Sequence, residues 1–173
     1  MENVNGDTGS MGTTERDHGR PVLAVANGLA SAPRCIVVAV DFSETSLRAA
    51  RMALEVAGPN ATIYLAHVAP RDSPFPDWGT WDAASKQDAA AALDHTSHRL
   101  GVPGDMSVRS VVLQGDPASE LLAFAGRVNA DLIATGRHGR GLVARLLIGS
   151  VATRVVRGST RSVLTVPRAK PSE

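Results

Sequence analysis

Cys35-Ile-Val-Val-Ala-Val40 is an unbroken apolar run rich in β-branched residues, and it decides the fold. Such a run is typical of a strand that is covered on both faces, as in a parallel sheet. Ser43 follows as a predicted helix N-cap, with Glu44 in the first turn. The helix carries an apolar stripe at helical spacing, formed by Leu47, Ala50, Leu54 and Ala57. A buried strand followed at once by an amphipathic helix indicates an α/β fold.

The same alternation of strand and helix continues to the end of the chain. Further strands are predicted at 62–68, 107–113, 132–135 and 162–166, and further helices at about 82–100, 117–129 and 150–156. Asp116 is the predicted N-cap of the third helix, because Pro117 suits the first helical position. Five strands joined by helices need right-handed crossovers. They predict one doubly wound domain, with helices on both faces of a mainly parallel sheet.

The composition agrees with a single aliphatic domain. The 173 residues are 43% hydrophobic but only 3% aromatic, so the core must consist of Val, Leu, Ile and Ala. A formal net charge of +1 gives no overall field that would hold nucleic acid or an anionic membrane. Residues 132–172, however, contain seven Arg, one Lys and no acidic residue. The last quarter of the chain therefore favours an anionic ligand.

The cysteine content and the length of the apolar runs indicate the cellular compartment. Cys35 is the only cysteine, so no intramolecular disulfide can form, and we expect a cytoplasmic protein in which Cys35 is a buried small apolar residue. No apolar run approaches the ~18 residues that span a bilayer. Residues 21–32 resemble the tail of a signal peptide, but Asn27, Gly28 and the acidic residues before them disfavour that interpretation. We predict a flexible extension at 1–33, one domain at 34–168 and a tail at 169–173.

Two loops, at the carboxyl ends of strands one and four, form the predicted ligand site. They are Asp41-Phe42-Ser43 and Gly136-Arg-His-Gly139. Asp41 can accept hydrogen bonds from a ribose or a base, and glycines let backbone N–H groups approach an anion. Gly149-Ser150 opens the last helix and adds N–H groups, a hydroxyl and the positive end of a helix dipole. Each feature also has a purely structural interpretation, as a turn or a cap.

The combination of these loops resembles the ATP-binding branch of the universal stress protein family. Its motif is Gly136-x-x-Gly139, then nine residues, then Gly149-Ser150. The resemblance covers about 34–168 through Val-Asp41-Phe-Ser43-Glu, Leu-Ala-His67-Val68, Gly115-Asp116-Pro117, Ala130-Asp131-Leu-Ile-Ala-Thr-Gly136, Leu146-Leu-Ile-Gly149-Ser-Val-Ala and Val163-Leu-Thr-Val-Pro167. It implies a Rossmann-like domain of the adenine nucleotide alpha hydrolase type with strand order 3-2-1-4-5. It also implies ATP as the ligand, with Mg²⁺ or Mn²⁺ on the phosphates.

The resemblance assigns roles to individual residues. Asp41 corresponds to the residue that contacts the nucleoside, and Val68, with Ala39 nearby, to the adenine pocket. The family residues that contact the ribose and the phosphates correspond to Gly136, Gly139, Gly149, Ser150 and Val151. Arg137, His138 and Arg140 belong to the same loop and are secondary, because the chemistry requires only the glycine backbone.

Two alternatives to a nucleotide-dependent regulatory module stay open. One is a slow ATP hydrolase that uses the same pocket; the P-loop pattern and the Gly-x-Ser-x-Gly elbow are absent, and we name no catalytic residue. The other is an adaptor with an empty pocket. His95 and His98 lie one helical turn apart, but without a third ligand they predict a solvent-facing pair and no metal site. We expect His67 to pack or to line the pocket.

Partners follow from the predicted edge of the sheet. Strand five, Ser162 to Val166, would leave an apolar edge that soluble proteins usually cover. The resemblance implies a homodimer through this strand, and a regulatory partner protein that the sequence does not name. Arg154, Arg157 and Arg161 predict a solvated face and not a nucleic-acid site, because no interleaved aromatic residues accompany them.

Overall fold

The computed structural model describes residues 31–69, 83–137 and 149–168. Within these ranges the elements are β1 (Cys35–Ala39), α1 (Glu44–Val56), β2 (Thr62–Ala69), α2 (Ala83–Arg99), β3 (Ser107–Gln114), α3 (Pro117–Arg127), β4 (Leu132–Gly136), α4 (Ser150–Gly158) and β5 (Ser162–Val166). The predicted elements are confirmed, with ends that differ by one or two residues. Both predicted caps are present, because Ser43 and Asp116 accept hydrogen bonds from the N–H groups of Ser46 and Ser119.

The five strands form one parallel sheet in the order β3-β2-β1-β4-β5. The fold class and the strand order are therefore confirmed. At the centre, Val37 of β1 pairs with Tyr64 of β2 on one side and with Ile133 of β4 on the other. The chain winds outward from β1 to β3 and then returns to the other side of β1 at β4. The winding reverses between β1 and β4, and in folds of this type ligands bind at that point.

Two apolar cores lie on opposite faces of the sheet. Alternate residues of β1 point to opposite sides, as a strand requires. Ile36 and Val38 pack with Ala49 of α1 and Leu93 of α2, while Val37 points into the second core. Helices α3 and α4 form the outer layer of that second core. Burial on both faces explains why the β1 sequence is continuously apolar.

Helix α1 presents a different face to the sheet from the one that its apolar stripe predicts. Its buried residues are small, namely Thr45, Ser46, Ala49, Ala50 and Ala53. Of the predicted stripe only Ala50 is fully buried, whereas Leu54 and Ala57 lie at the border of the core and Leu47 is half-buried. Small side chains let the helix approach the sheet closely, so the larger residues are displaced to its flanks.

Candidate functional site

A pocket of about 290 Å³ opens at the carboxyl ends of β1 and β4, where the winding of the sheet reverses. Its lining includes eight residues that the sequence assigned to the ligand: Ala39, Asp41, Val68, Gly136, Arg137, Gly149, Ser150 and Val151. His138, Gly139 and the neighbouring Arg140 lie outside the described residues. The two chain segments chosen from sequence therefore meet at one pocket.

Asp41 lies in a tight turn between β1 and α1. Its Oδ1 accepts hydrogen bonds from the N–H of Ser43, at 3.0 Å, and from the Ser43 hydroxyl, at 2.5 Å. Phe42 between them has a φ of 62°, in the left-handed region that aromatic residues seldom adopt. The structural interpretation of Asp41 and Ser43 is thus confirmed. The same bonds fix the carboxylate at the pocket, where it can also meet a ligand.

Gly136 is the last residue of β4, and it passes very close to the first turn of α1. A Cβ at this position would lie 2.7 Å from Oγ1 of Thr45 and 2.9 Å from the backbone N of Ser46. Real Cβ atoms do not come so close to backbone, so packing alone requires glycine here. Sequence reasoning assigned Gly136 to ligand approach or to a turn, and it missed the contact with α1 because that contact depends on the folded arrangement.

Backbone hydrogen bonds hold Arg137 and Gly149 beside the sheet. The N–H of Arg137 donates to the carbonyl of Val166 in β5, at 2.8 Å. The N–H of Gly149 donates to the carbonyl of Arg137, at 2.6 Å. Since Arg137 and Gly149 both line the pocket, these bonds set the position of its backbone wall.

The N-terminus of α4 is the anion-compatible side of the pocket. Gly149 is the N-cap and provides no side-chain cap, and the first hydrogen bond inside the helix joins the N–H of Thr153 to the carbonyl of Gly149, at 2.9 Å. The N–H groups of Ser150, Val151 and Ala152 therefore have no acceptor within the helix itself. Together with the helix dipole they favour a negative group in the pocket.

The remaining wall is largely apolar and includes residues that sequence reasoning missed. Ala66, Pro117 and Leu121 line the pocket beside the predicted Ala39 and Val68. Pro117 and Leu121 belong to α3, which the sequence identified as a helix without indicating that it covers this end of the sheet. The Gly115-Asp116-Pro117 motif at its start was the available signal. Such a wall suits a flat, apolar ring.

His67 is a pocket residue, as expected. It lines the cavity, and its Nδ1 lies 2.8 Å from the carbonyl oxygen of Val40. Its ring centre lies 4.9 Å from that of Phe42, in a tilted arrangement. The imidazole thus connects the end of β2 to the turn after β1, and this contact stabilises the turn that carries Asp41.

An ion pair joins α3 and α4 beside the pocket. Both guanidinium NH groups of Arg154 donate to Asp116, at 2.7 Å and 2.6 Å. The hydrogen bonds from Arg154, followed by those from Ser119, hold the pKa of Asp116 well below its usual range. Arg154 is exposed, as expected for a solvated face, but the sequence did not indicate its pairing with Asp116, whose carboxylate matches the planar donor fork. Arg157 is exposed, as expected.

The remaining candidate residues are Cys35 and the pair His95 and His98. Cys35 is only half-buried, and its thiol donates to the carbonyl of Val128, at 3.4 Å. Desolvation, with a smaller contribution from Asp131, raises the pKa of this thiol, which disfavours a reactive thiolate. His95 and His98 are exposed on α2. In the described part of the chain, no group of three His, Cys, Asp or Glu residues could hold a metal ion.

The fold and the pocket define a class of protein: a doubly wound α/β domain with a ligand site at the switch point of its sheet. The sequence then identifies the family, because residues 33–167 match the model of the universal stress protein family. The chain belongs to this family. None of the helices in the described ranges is long and apolar enough to cross a membrane.

Related proteins agree with this assignment. The chain is 34% identical over 142 residues to universal stress protein MJ0531 of Methanocaldococcus jannaschii, which covers 78% of this chain and 82% of that protein. It is similar to the crystal structure of a universal stress protein in complex with cAMP, with 29% identity, a TM-score of 0.57 and coverage of 81% of this chain and 100% of the other. The structure of MJ0577 has the same fold, with 24% identity, a TM-score of 0.66 and coverage of 80% and 98%.

Some relatives are longer. Universal stress protein Rv2005c of Mycobacterium tuberculosis is 30% identical over 131 residues, which is 70% of this chain but 44% of that protein. The chain therefore spans less than half the length of this relative.

Proposed function

We propose that this chain is an ATP-binding universal stress protein that acts as a nucleotide-dependent regulatory module in the cytoplasm, and that it works as a homodimer. One observation carries the proposal: the N-terminus of α4 and an apolar wall line the same pocket of about 290 Å³. An adenine nucleotide needs both surfaces, because its base is flat and its phosphates are anionic. Asp41, between these surfaces, supplies an acceptor for ribose hydroxyl groups.

The proposed contacts divide the pocket into three parts. Adenine lies against Ala39 and Val68, and the ribose lies beside Asp41. The phosphates lie against the two glycine segments, formed by Gly136, Arg137, His138, Gly139, Gly149, Ser150 and Val151. Ser150 and Val151 donate their backbone N–H groups, because those of Arg137 and Gly149 are engaged with the carbonyls of Val166 and Arg137. Mg²⁺ or Mn²⁺ would be held mainly by phosphate and water oxygens, since magnesium usually keeps several waters in phosphate sites. Because the donor set is neutral backbone beside a positive helix end, it fits a polyphosphate.

The cAMP complex of the 29% identical relative supports nucleotide as the ligand class. We propose binding and not turnover as the function. Among the described residues that line the pocket, only Asp41 and His67 could accept a proton from water. The proposal assigns the Asp41 carboxylate, whose Oδ1 is held by Ser43, to the ribose. It assigns His67, whose Nδ1 lies at the carbonyl of Val40, to the wall of the pocket.

Gly149→Asp tests the placement of the phosphates. Gly149 has φ −63° and ψ 157°, a conformation that Asp adopts readily at an N-cap, so the variant should fold as well as the wild type. Its carboxylate would occupy the helix end and repel phosphate, so we expect ATP binding to be abolished in isothermal titration calorimetry. The measurement is repeated with ADP and cAMP, and released phosphate is quantified in parallel.

Gly104→Asp is the matched control, because it adds the same charge on the exposed loop before β3, where a Cβ meets no atom within 4 Å. This loop lies at the opposite end of the strands. Equal ATP affinity of wild type and Gly149→Asp would refute the phosphate placement, and no heat with any nucleotide would refute the proposed function. Steady phosphate release by the wild type, lost in Gly149→Asp, would favour the hydrolase alternative.

A further inference from the structure

We propose that Asp116 and Arg154 are a positioning pair that fixes the two helical walls of the pocket relative to each other and thereby sets nucleotide affinity. The inference rests on the proposed nucleotide function for its ligand. It assigns to these residues a role that needs no contact with the nucleotide, since neither side chain belongs to the described lining of the pocket.

The geometry of the pair is that of a planar fork on a carboxylate. Nη1 of Arg154 donates to Oδ2 of Asp116, at 2.7 Å, and Nη2 donates to Oδ1, at 2.6 Å. Oδ1 also accepts the N–H of Ser119, at 3.0 Å, and the Ser119 hydroxyl, at 2.7 Å. The carboxylate is thus fixed to the first turn of α3. Arg154 consequently bonds to a rigid group, which gives the contact a defined direction.

The pair is adjacent in sequence to both walls that it joins. Asp116 immediately precedes Pro117, which lines the pocket from α3. Arg154 lies one helical turn beyond Ser150, whose N–H belongs to the proposed phosphate-binding end of α4. A change in the distance between Asp116 and Arg154 therefore changes the distance between the apolar wall and the anion-binding wall.

Positioning and simple charge effects predict opposite results for Asp116. If the pair acts only through the electrostatic field of its charges, removing the negative charge of Asp116 near a phosphate site should strengthen ATP binding. Removing the positive charge of Arg154 should weaken it. If the pair holds the two helices, losing either partner reduces the population of the competent arrangement, so both changes weaken binding. The sign of the Asp116→Asn effect therefore separates the two explanations.

The experiment measures ATP affinity by isothermal titration calorimetry in Asp116→Asn, Arg154→Gln, the double variant and Arg157→Gln. Asn keeps the N-cap acceptor for α3. Arg157→Gln removes the same charge from an exposed position of the same helix and serves as the control. We expect each single variant of the pair to weaken ATP binding about threefold, as for exposed charge pairs. The double variant should be no weaker than either single variant, and adenosine, which has no phosphate, should show the same order.

Hydrogen–deuterium exchange of residues 149–158 without nucleotide provides a second readout. We expect faster exchange in both pair variants than in Arg157→Gln. Tighter ATP binding by Asp116→Asn, or equal effects of Arg154→Gln and Arg157→Gln on both measurements, would overturn the positioning role. Failure of the wild type to bind any nucleotide would refute the proposed function instead, and the exchange rates would then still decide whether the pair holds α4 against α3.

Discussion

Gly136 lies where the end of β4 meets the first turn of α1, and its role in packing can be separated from any role in binding. Gly136→Ala would place a methyl group within 3 Å of Thr45 and of the backbone N of Ser46. Because backbone atoms cannot move aside cheaply, we expect the free energy of unfolding to fall by ~1–3 kcal/mol. Urea denaturation measures this change.

Gly126→Ala is the matched control for that substitution. Gly126 lies within α3, and a Cβ there meets no atom within 4 Å. Alanine in an exposed helical position is more favourable than glycine, so this variant should be as stable as the wild type or more stable by ~0.5–1 kcal/mol. Equal destabilisation by both substitutions would show that the contact with Thr45 is not what excludes a side chain at Gly136.

Asp41 illustrates how much of the position and role of a single residue can be predicted from sequence. Its place after a buried strand indicated a position at the pocket, and the pocket lining agrees. Its bonds to Ser43 agree equally with the capping interpretation. The two interpretations are compatible, because the same turn that begins α1 holds the carboxylate where a ligand would meet it. Gly136 differs, because its contact with Thr45 joins residues 91 positions apart in sequence, and local pattern carries no information about it.

At the scale of elements, the contact between α3 and α4 predicts a dependence on pH. Arg154 and then Ser119 hold the pKa of Asp116 far below the value of about 3.9 that an unfolded Asp has. A carboxyl group with a lowered folded-state pKa contributes stability above its unfolded pKa and loses that contribution as the pH falls through its folded pKa. The pair should therefore stabilise the protein at neutral pH and lose this effect only in strong acid.

Thermal unfolding of wild type and Asp116→Asn between pH 2 and 7 measures this dependence. We expect the wild type to have the higher Tm at pH 7, and the difference to shrink below about pH 4. The difference should be small, because both side chains are exposed and surface ion pairs contribute little. In an Arg154→Gln background, the Asp116→Asn substitution should change the Tm at pH 7 by even less. A Tm difference that stays constant across this range would contradict the assignment.

Helix α1 shows why the type of an element is easier to predict than its orientation. Its N-cap was correctly predicted at Ser43, directly before the first helical residue, Glu44. The apolar stripe was wrong in detail, because hydrophobicity alone ranks Leu above Ala for burial. In the structure, the closeness of helix and sheet decides which residues are buried, and Ala49, Ala50 and Ala53 fit that space.

At the scale of the whole molecule, the open edge of β5 predicts a dimer. The carbonyl of Val166 points inward, toward Arg137. Because successive residues of a strand direct their backbone groups to alternate sides, Val163 and Thr165 direct theirs to the outer edge. The hydroxyl of Thr165 is buried and has no hydrogen-bond partner. We expect sedimentation equilibrium to give about twice the chain mass of 18.0 kDa.

Thr165→Pro should yield the monomer, because it removes an outward N–H while the bonds from β5 to β4 remain. Thr165→Val is the control: it keeps the N–H and the shape of the side chain and should stay dimeric. A wild type that sediments as a monomer would contradict the proposed dimer. A dimeric Thr165→Pro variant would place the interface on another surface.

The sequence predicted the architecture better than the walls of the pocket. Alternating apolar runs define the strands and helices, and the family resemblance supplied their order in the sheet. Asp41, Gly136 and Gly149-Ser150 could be found because each follows or opens an element, whereas the other predicted lining residues came from the resemblance. The Gly115-Asp116-Pro117 motif marks the start of α3. That α3 lines the pocket, and that Asp116 pairs with Arg154, could not be predicted, since both depend on which helix covers the end of the sheet.

The bond between the Arg137 carbonyl and the Gly149 N–H joins the two sides of an eleven-residue interval, 138–148. Since Arg137 is held in turn by Val166 of β5, the start of α4 is tied to the sheet through two backbone bonds that require no particular side chain. Substitutions that keep the backbone of Arg137 and Gly149 in place should therefore leave the helix end where it is, so that the charge at the pocket can be altered without moving the amides that surround it.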